Sequence, residues 1–244
     1  MILENFKEMK TFEQFINDGY SNYKGITQFI RDKMDDNWND ILKKKKVEFS
    51  FEFDKKIITV KFGSIEGSKI GRIKDLNYLI SINTSGKNLN RDNIIATIVH
   101  ELTHFGQKFN KFGNYDRGEH FLDYNDFNYD YTNYLSDHDR YHTEKESVLL
   151  QLFELLRRKN VKLSISFCYE KYKYFNLYQY KKVINKALLY GISVDIFNQF
   201  RKELKEYLLN KINKNINKNY QLIERCYIIT KQFNLRIEDN IKNL

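Results

Sequence analysis

The residues with the clearest chemical potential are two histidines and a glutamate within residues 98–105, which read IVHELTHF. His100, Glu101 and His104 match the H-E-x-x-H pattern, in which the two histidines lie on one helix face about a turn apart. Both imidazoles can then bind the same divalent ion, as in catalytic zinc sites. Glu101 lies beside that face, where its carboxylate can take a proton from water without being a ligand. The pattern predicts a zinc site with a general base.

The helix that carries these residues must also be anchored in a core. Helical periodicity runs from residue 90 to about 107, and Asn90 or Asp92 is the expected N-cap. Four apolar residues form a stripe along one side of this helix: Ile94, Ile98, Leu102 and Phe105. The two histidines lie on the other side of the helix, roughly 200 to 240° around from Ile98. We therefore expect the apolar side to pack in a core and the histidine side to line a cleft.

The residues before the motif predict a helix followed by a small sheet. Apolar residues recur at three- and four-residue steps between 26 and 42, as one buried helix face requires. The period then changes to two in residues 47–53, and a short polar turn leads to an apolar run at 57–62. This pattern predicts a hairpin with one solvated face. Another strand is predicted at 78–82, either as an edge that could pair with an extended peptide or as an ordinary core strand.

The residues after the motif predict a loop and then helices. Residues 111–140 are rich in Asn, Asp, Gly and Tyr without a clear period, so we expect a long structured loop. A helix is expected from about 144 to 157, and helical periodicity continues from 170 to 244, with a linker near 212–219. The expected α+β fold has three parts: an N-terminal helical segment (1–45), a domain with the small sheet and the H-E-x-x-H helix (46–160), and a helical C-terminal region (161–244) that extends the same core.

Composition limits the class of protein and its partners. The chain of 244 residues has a formal net charge of +9, 41% hydrophobic residues and two cysteines, which is typical of a globular protein without a disulfide scaffold. Basic runs such as 43–46 are more often solvated surface than a nucleic-acid site, so a nucleic-acid partner is not expected. No uncharged run approaches the roughly 20 residues that span a bilayer. We expect a cytoplasmic protein.

Residues 45–157 resemble the zincin metallopeptidases, in which a strand-bearing subdomain precedes an H-E-x-x-H helix. The specific part of this resemblance is His100, Glu101 and His104. It implies a zinc cofactor and a protein or peptide substrate lying along an edge strand. Metzincins carry a third histidine six residues after the second, but Asn110 occupies that position here, so this branch is excluded.

The resemblance to the gluzincin group implies that the third ligand is a glutamate on a following helix. Residues 141–148, YHTEKESV, are similar to the gluzincin segment with serine in place of alanine, and Glu146 matches its ligand position. Glu144 is the next candidate. A competing interpretation is that Glu146 only completes a capping box with Thr143. His120 lies where SprT-like proteases place a third histidine, although the surrounding residues match poorly.

These assignments predict a zinc peptidase, gluzincin-like, in which Glu101 activates water. Zinc polarises the scissile carbonyl and acidifies water, and Glu101 passes the proton to the leaving amine. Candidate donors to the oxyanion are Tyr131, Tyr134, His138, Tyr141 and His142. Two alternatives are an SprT-like protease acting on DNA-bound proteins and a catalytically inactive, metal-binding regulatory protein.

Overall fold

The computed structural model is an α+β protein with a four-stranded sheet and a set of helices. It describes residues 12–43, 46–53, 56–64, 71–74, 78–85, 89–108, 137–175, 180–214 and 219–242. Contacts group the chain into two compact units: Met1–Arg91 with Glu101–Thr143, and Asp92–His100 with Glu144–Leu244.

The first unit contains a long helix and the sheet. Helix α1 spans Phe12–Leu42, and the strands are β1 (Val47–Phe53), β2 (Lys56–Gly63), β3 (Gly71–Lys74) and β4 (Leu79–Asn83). Side chains of β1 alternate between buried and exposed along its whole length, which confirms the predicted solvated face. On the buried face, the Phe29 ring of α1 lies 6.2 Å from the Phe49 ring and 6.1 Å from the Phe51 ring, both in edge-on geometry.

The strand order is β1-β2-β4-β3. Strands β1 and β2 form the predicted antiparallel hairpin, β2 runs parallel to β4, and β3 pairs antiparallel with β4. The strand predicted at 78–82 is therefore present as β4, but it is bonded on both sides. Of the two interpretations, the ordinary core strand is confirmed and the free edge for a peptide is wrong, because the unpredicted short strand β3 pairs with β4.

Helix α2 spans Arg91–Lys108 and carries the H-E-x-x-H residues. Its apolar side is fully anchored: Ile95, Ile98, Val99 and Leu102 have no exposed surface. Arg91, at its first position, forms an ion pair with Asp35 of α1, with 2.7 Å between Nη1 and Oδ1. The prediction of a helix from 90 to about 107 is confirmed, but burial is not confined to one face, because every residue from Ile94 to His100 is buried.

The second unit is helical. Its elements are α3 (Asp137–Arg157), of which Glu144 onward belongs to this unit, α4 (Val161–Glu170), a 3-10 turn (Tyr172–Phe175), α5 (Tyr180–Leu189), α6 (Val194–Lys214), α7 (Tyr220–Phe233) and α8 (Glu238–Lys242). Its core is aromatic: Phe200 and Phe175 each pack against Phe233, with ring centroids 5.4 and 5.7 Å apart. Within the described part of the chain, helices long and apolar enough to cross a membrane are not found.

Two helix boundaries differ from the predictions. Helix α3 begins at Asp137, seven residues before the expected start and inside the segment predicted as a loop. That first part, DHDRYHT, has too few apolar residues to show a helical period. Helix α6 continues to Lys214, into the expected linker, because Ile212 is 3% exposed and belongs to the core.

Candidate metal centre

Helix α2 holds its histidines in contrasting surroundings. His100 follows the buried residues Ile98 and Val99 and is itself only 8% exposed. His104, one turn later, is partly exposed, and so is Glu101. One imidazole is thus set into the protein while the second imidazole and the carboxylate remain accessible to solvent. Such a helix can contribute two ligands and a base to one site.

Helix α3 brings a carboxylate to the same place. Oε2 of Glu144 lies 3.3 Å from Nε2 of His100, and the two side chains are 28% and 10% exposed. The backbone carbonyl of Glu144 accepts a hydrogen bond of 2.9 Å from the Ser147 hydroxyl, which is itself buried. Glu144 is therefore placed on a packed stretch of helix beside the first histidine of the motif.

The three residues His100, His104 and Glu144 form a cluster of possible metal ligands. Each can offer one ligand atom, and these atoms all lie within 4.8 Å of one another. Two imidazole nitrogens and one carboxylate oxygen are the donor set of one class of catalytic zinc site, which leaves a fourth position open. The chemistry of the donor set therefore fits zinc.

The distance between His100 and Glu144 is compatible with binding of one ion. Zinc–ligand bonds of about 2.0 to 2.2 Å in tetrahedral geometry put two ligand atoms about 3.3 to 3.6 Å apart. The observed separation of 3.3 Å lies in this range, and it also suits an ordinary ion pair of a histidine and a carboxylate.

Several predicted site residues lie outside what the structure describes. Glu146 belongs to α3, but its side chain is not among the described ones, so its role as a ligand stays a prediction. The same holds for the side chains of His138, Tyr141 and His142, although their backbone belongs to α3 and not to a loop. His120, Tyr131 and Tyr134 fall in residues 109–136, which lie wholly outside the described part.

Glu144 was the second choice from the sequence, and a polar repeat along α3 is the signal that favours it. Glu144, Gln151 and Arg158 follow one another at seven-residue steps, so they fall within about 40° on the same side of a helix. The resemblance to the gluzincin segment instead favours Glu146.

Comparison of the chain with protein-family models, curated proteins and solved structures gives no match. The site itself therefore carries the evidence for a function. Its elements are the two histidines of α2, the glutamate of α3 and the carboxylate of Glu101.

Proposed function

We propose that the protein is a zinc-dependent peptidase of the gluzincin type, in which His100, His104 and Glu144 bind the ion and Glu101 is the general base. The observation that carries the proposal is the convergence of three potential ligand atoms within 4.8 Å, two of them from an H-E-x-x-H helix. A structural zinc site is normally closed by four protein ligands, whereas three ligands leave a position for water. The pattern of two histidines and a glutamate, with a further glutamate beside the first histidine, is the one a catalytic site requires.

In the proposed hydrolysis, the zinc ion and the side chains of the protein have separate tasks. A bound zinc ion supplies a Lewis acid that acidifies water and polarises a carbonyl. Glu101 accepts the proton of the attacking water on its carboxylate and delivers it to the nitrogen of the leaving amine. Because Glu101 lies in the same helix as His100 and His104, its backbone is held in a fixed position relative to these two histidines.

Glu144 is the anionic ligand in this proposal and partly neutralises the charge of the ion. It accepts no proton during turnover. Its partial burial reduces competition from solvent for the same oxygen. Glu146 remains the alternative ligand that the gluzincin resemblance implies, and mutation separates the two.

The test combines metal analysis with hydrolysis of a mixed peptide library. The purified protein is stripped with a chelator, reloaded with zinc and analysed by mass spectrometry, with one zinc per chain as the expected result. Glu101→Gln should retain the zinc but lose about 10² to 10⁴-fold in hydrolysis rate, the usual contribution of a general base. Glu48→Gln, on the solvated face of β1, is the matched control and should behave as wild type.

The outcomes separate the proposed activity from the alternatives. Zinc bound without hydrolysis of any library member would leave only a metal-binding regulatory protein. Equal hydrolysis by wild type and Glu101→Gln would remove Glu101 from the mechanism. Failure of the wild-type protein to take up zinc would refute the site itself.

A further inference from the structure

Helices α2 and α3 are joined by polar contacts that follow a regular order along both helices. Near the start of α2, the Asp92 carboxylate accepts hydrogen bonds from Arg158 Nε and from Asn160 Nδ2, the latter at 3.0 Å. Further along, Gln151 Nε2 lies 3.4 Å from Thr97 Oγ1. The next contact is the pair of His100 and Glu144. Residue numbers rise in α2 while they fall in α3, so the two helices run antiparallel.

These contacts are set in an apolar surrounding. Thr97 and Gln151 are 7% and 8% exposed, and Ile98, Leu152 and Leu155 beside them have no exposed surface. Apolar contacts are nondirectional and tolerate small shifts between helices. Buried hydrogen bonds do not tolerate such shifts, because a shifted helix would leave their donors and acceptors without partners. The polar contacts therefore define which residues of α3 face which residues of α2.

The contact at Asp92 is the most constrained one. Arg158 and Asp92 side chains are only 14% and 22% exposed, and the carboxylate uses both of its oxygens. Asn160 is also fixed from the other side, since its Oδ1 accepts a hydrogen bond of 3.2 Å from the backbone N–H of Leu163 at the start of α4. The end of α3 and the start of α4 are thus tied to one residue of α2.

We propose that Asp92, Arg158 and the Thr97–Gln151 pair are positioning residues that set the register of α3 against α2 and so hold Glu144 at His100. A slip of one residue moves a helix by about 1.5 Å and turns its side chains by about 100°, which would carry Glu144 away from the imidazole. The consequence for metal binding rests on the proposed function. The register itself does not.

The test uses zinc affinity and hydrogen exchange on the full-length protein. Arg158→Met removes the contact to Asp92 while keeping the aliphatic part of the side chain, and zinc affinity, measured by chelator competition, should fall about 10-fold, as for other residues that orient ligands. Arg158 is changed in preference to Asp92 because Asp92 also favours the helix N-terminus through its charge. Arg158→Lys, which keeps a charged donor, should recover part of the affinity.

A matched control and a second variant exclude a general loss of stability. Arg91→Met removes the ion pair with Asp35 at the same end of α2 but leaves α3 untouched, so zinc affinity should not change. The double variant Thr97→Val with Gln151→Leu replaces the middle contact with apolar groups of similar size. It should keep its melting temperature and still lose zinc affinity, a combination that a purely structural role does not produce.

Hydrogen exchange in the metal-free protein separates this inference from the proposed function. Amides of residues 144–151 should exchange faster in Arg158→Met than in wild type, and not in Arg91→Met. If wild type binds no zinc, the proposed function fails, while this comparison still decides the register. Unchanged exchange in a folded Arg158→Met protein overturns the inference. If Arg158→Met does not fold, the same result in the double variant overturns it. Where zinc binds, unchanged zinc affinity also overturns it.

Discussion

Replacing Glu144 by glutamine should abolish most of the stabilisation that zinc gives to the protein, while hardly changing the metal-free protein. Glutamine has nearly the same shape, and its amide can still form a hydrogen bond with His100, whose Nε2 lies 3.3 Å from the Glu144 oxygen. Without zinc, the melting temperature of Glu144→Gln should therefore stay close to that of wild type. With zinc, the neutral amide is a much poorer ligand than the carboxylate.

The size of the effect follows from linkage between binding and folding. Structural zinc sites with four ligands bind with about 10 to 16 kcal/mol, which corresponds to about 2.5 to 4 kcal/mol per ligand, or a loss of about 10² to 10³ in affinity. At a zinc concentration of about 1,000 times the wild-type Kd, wild type gains about 4.1 kcal/mol. The variant, at about 1 to 10 times its own Kd, gains about 0.4 to 1.4 kcal/mol.

The assay is thermal unfolding with and without zinc. For a chain of this size about 2 to 4 °C corresponds to 1 kcal/mol, so the zinc-induced shift should fall from about 8 to 16 °C in wild type to about 1 to 6 °C in Glu144→Gln. Glu146→Gln is measured beside it. A full zinc shift in Glu144→Gln together with a reduced one in Glu146→Gln would refute Glu144 as the ligand and support the choice that the gluzincin resemblance implies.

Three further predictions concern the helical unit. Phe153→Ala should cost about 3 to 5 kcal/mol in urea unfolding, because the ring is fully buried and packs 5.8 Å from the Tyr190 ring; a cost below 1 kcal/mol would contradict this packing. Burial raises the pKa of the Cys226 thiol from 9.0 to about 11. Between about pH 9 and about pH 11, the folded state therefore keeps the thiol proton that the unfolded state loses. The unfolding free energy should fall as pH rises through this range, and it should fall less steeply in Cys226→Ala. Asn219→Ala should cost about 1 kcal/mol in urea unfolding, since Asn219 Oδ1 caps α7 by accepting from the backbone N–H of Leu222, and an unchanged midpoint would argue against the cap.

Local patterns were sufficient to predict the elements near the site. The alternation of Phe49 and Phe51 with polar residues is a property of neighbouring residues, and the hairpin it predicts is present. The same is true of the apolar stripe through Ile98 and Leu102, which fixes the buried side of α2. The H-E-x-x-H spacing likewise places His100, Glu101 and His104 on this helix, but the apolar stripe does not predict that His100 is buried.

Features that depend on distant residues could not be predicted in this way. Strand β3 is four residues long and includes Arg72 and Lys74, so it has no apolar pattern, yet its pairing makes β4 an interior strand. The third ligand presents the same difficulty. Glu144 and Glu146 are the same residue type two positions apart, and the placement of Glu144 beside His100 depends on how α3 packs against α2.

The polar contacts between α2 and α3 link metal binding at the proposed site to the packing of the two helices. Asp92 and Arg158 lie at one end of the shared interface and the pair of His100 and Glu144 lies towards the other, with Thr97 and Gln151 between them. An ion held by His100 and Glu144 would tie the two helices together at the end that the Asp92 contact does not reach. Metal binding and the packing of α3 on α2 are therefore expected to stabilise each other, because each fixes the same register. Loss of the ion should weaken the packing of α3 on α2, and loss of this packing should weaken metal binding. In the metal-free protein, the amide hydrogens of α3 should therefore exchange fastest in the part nearest Glu144.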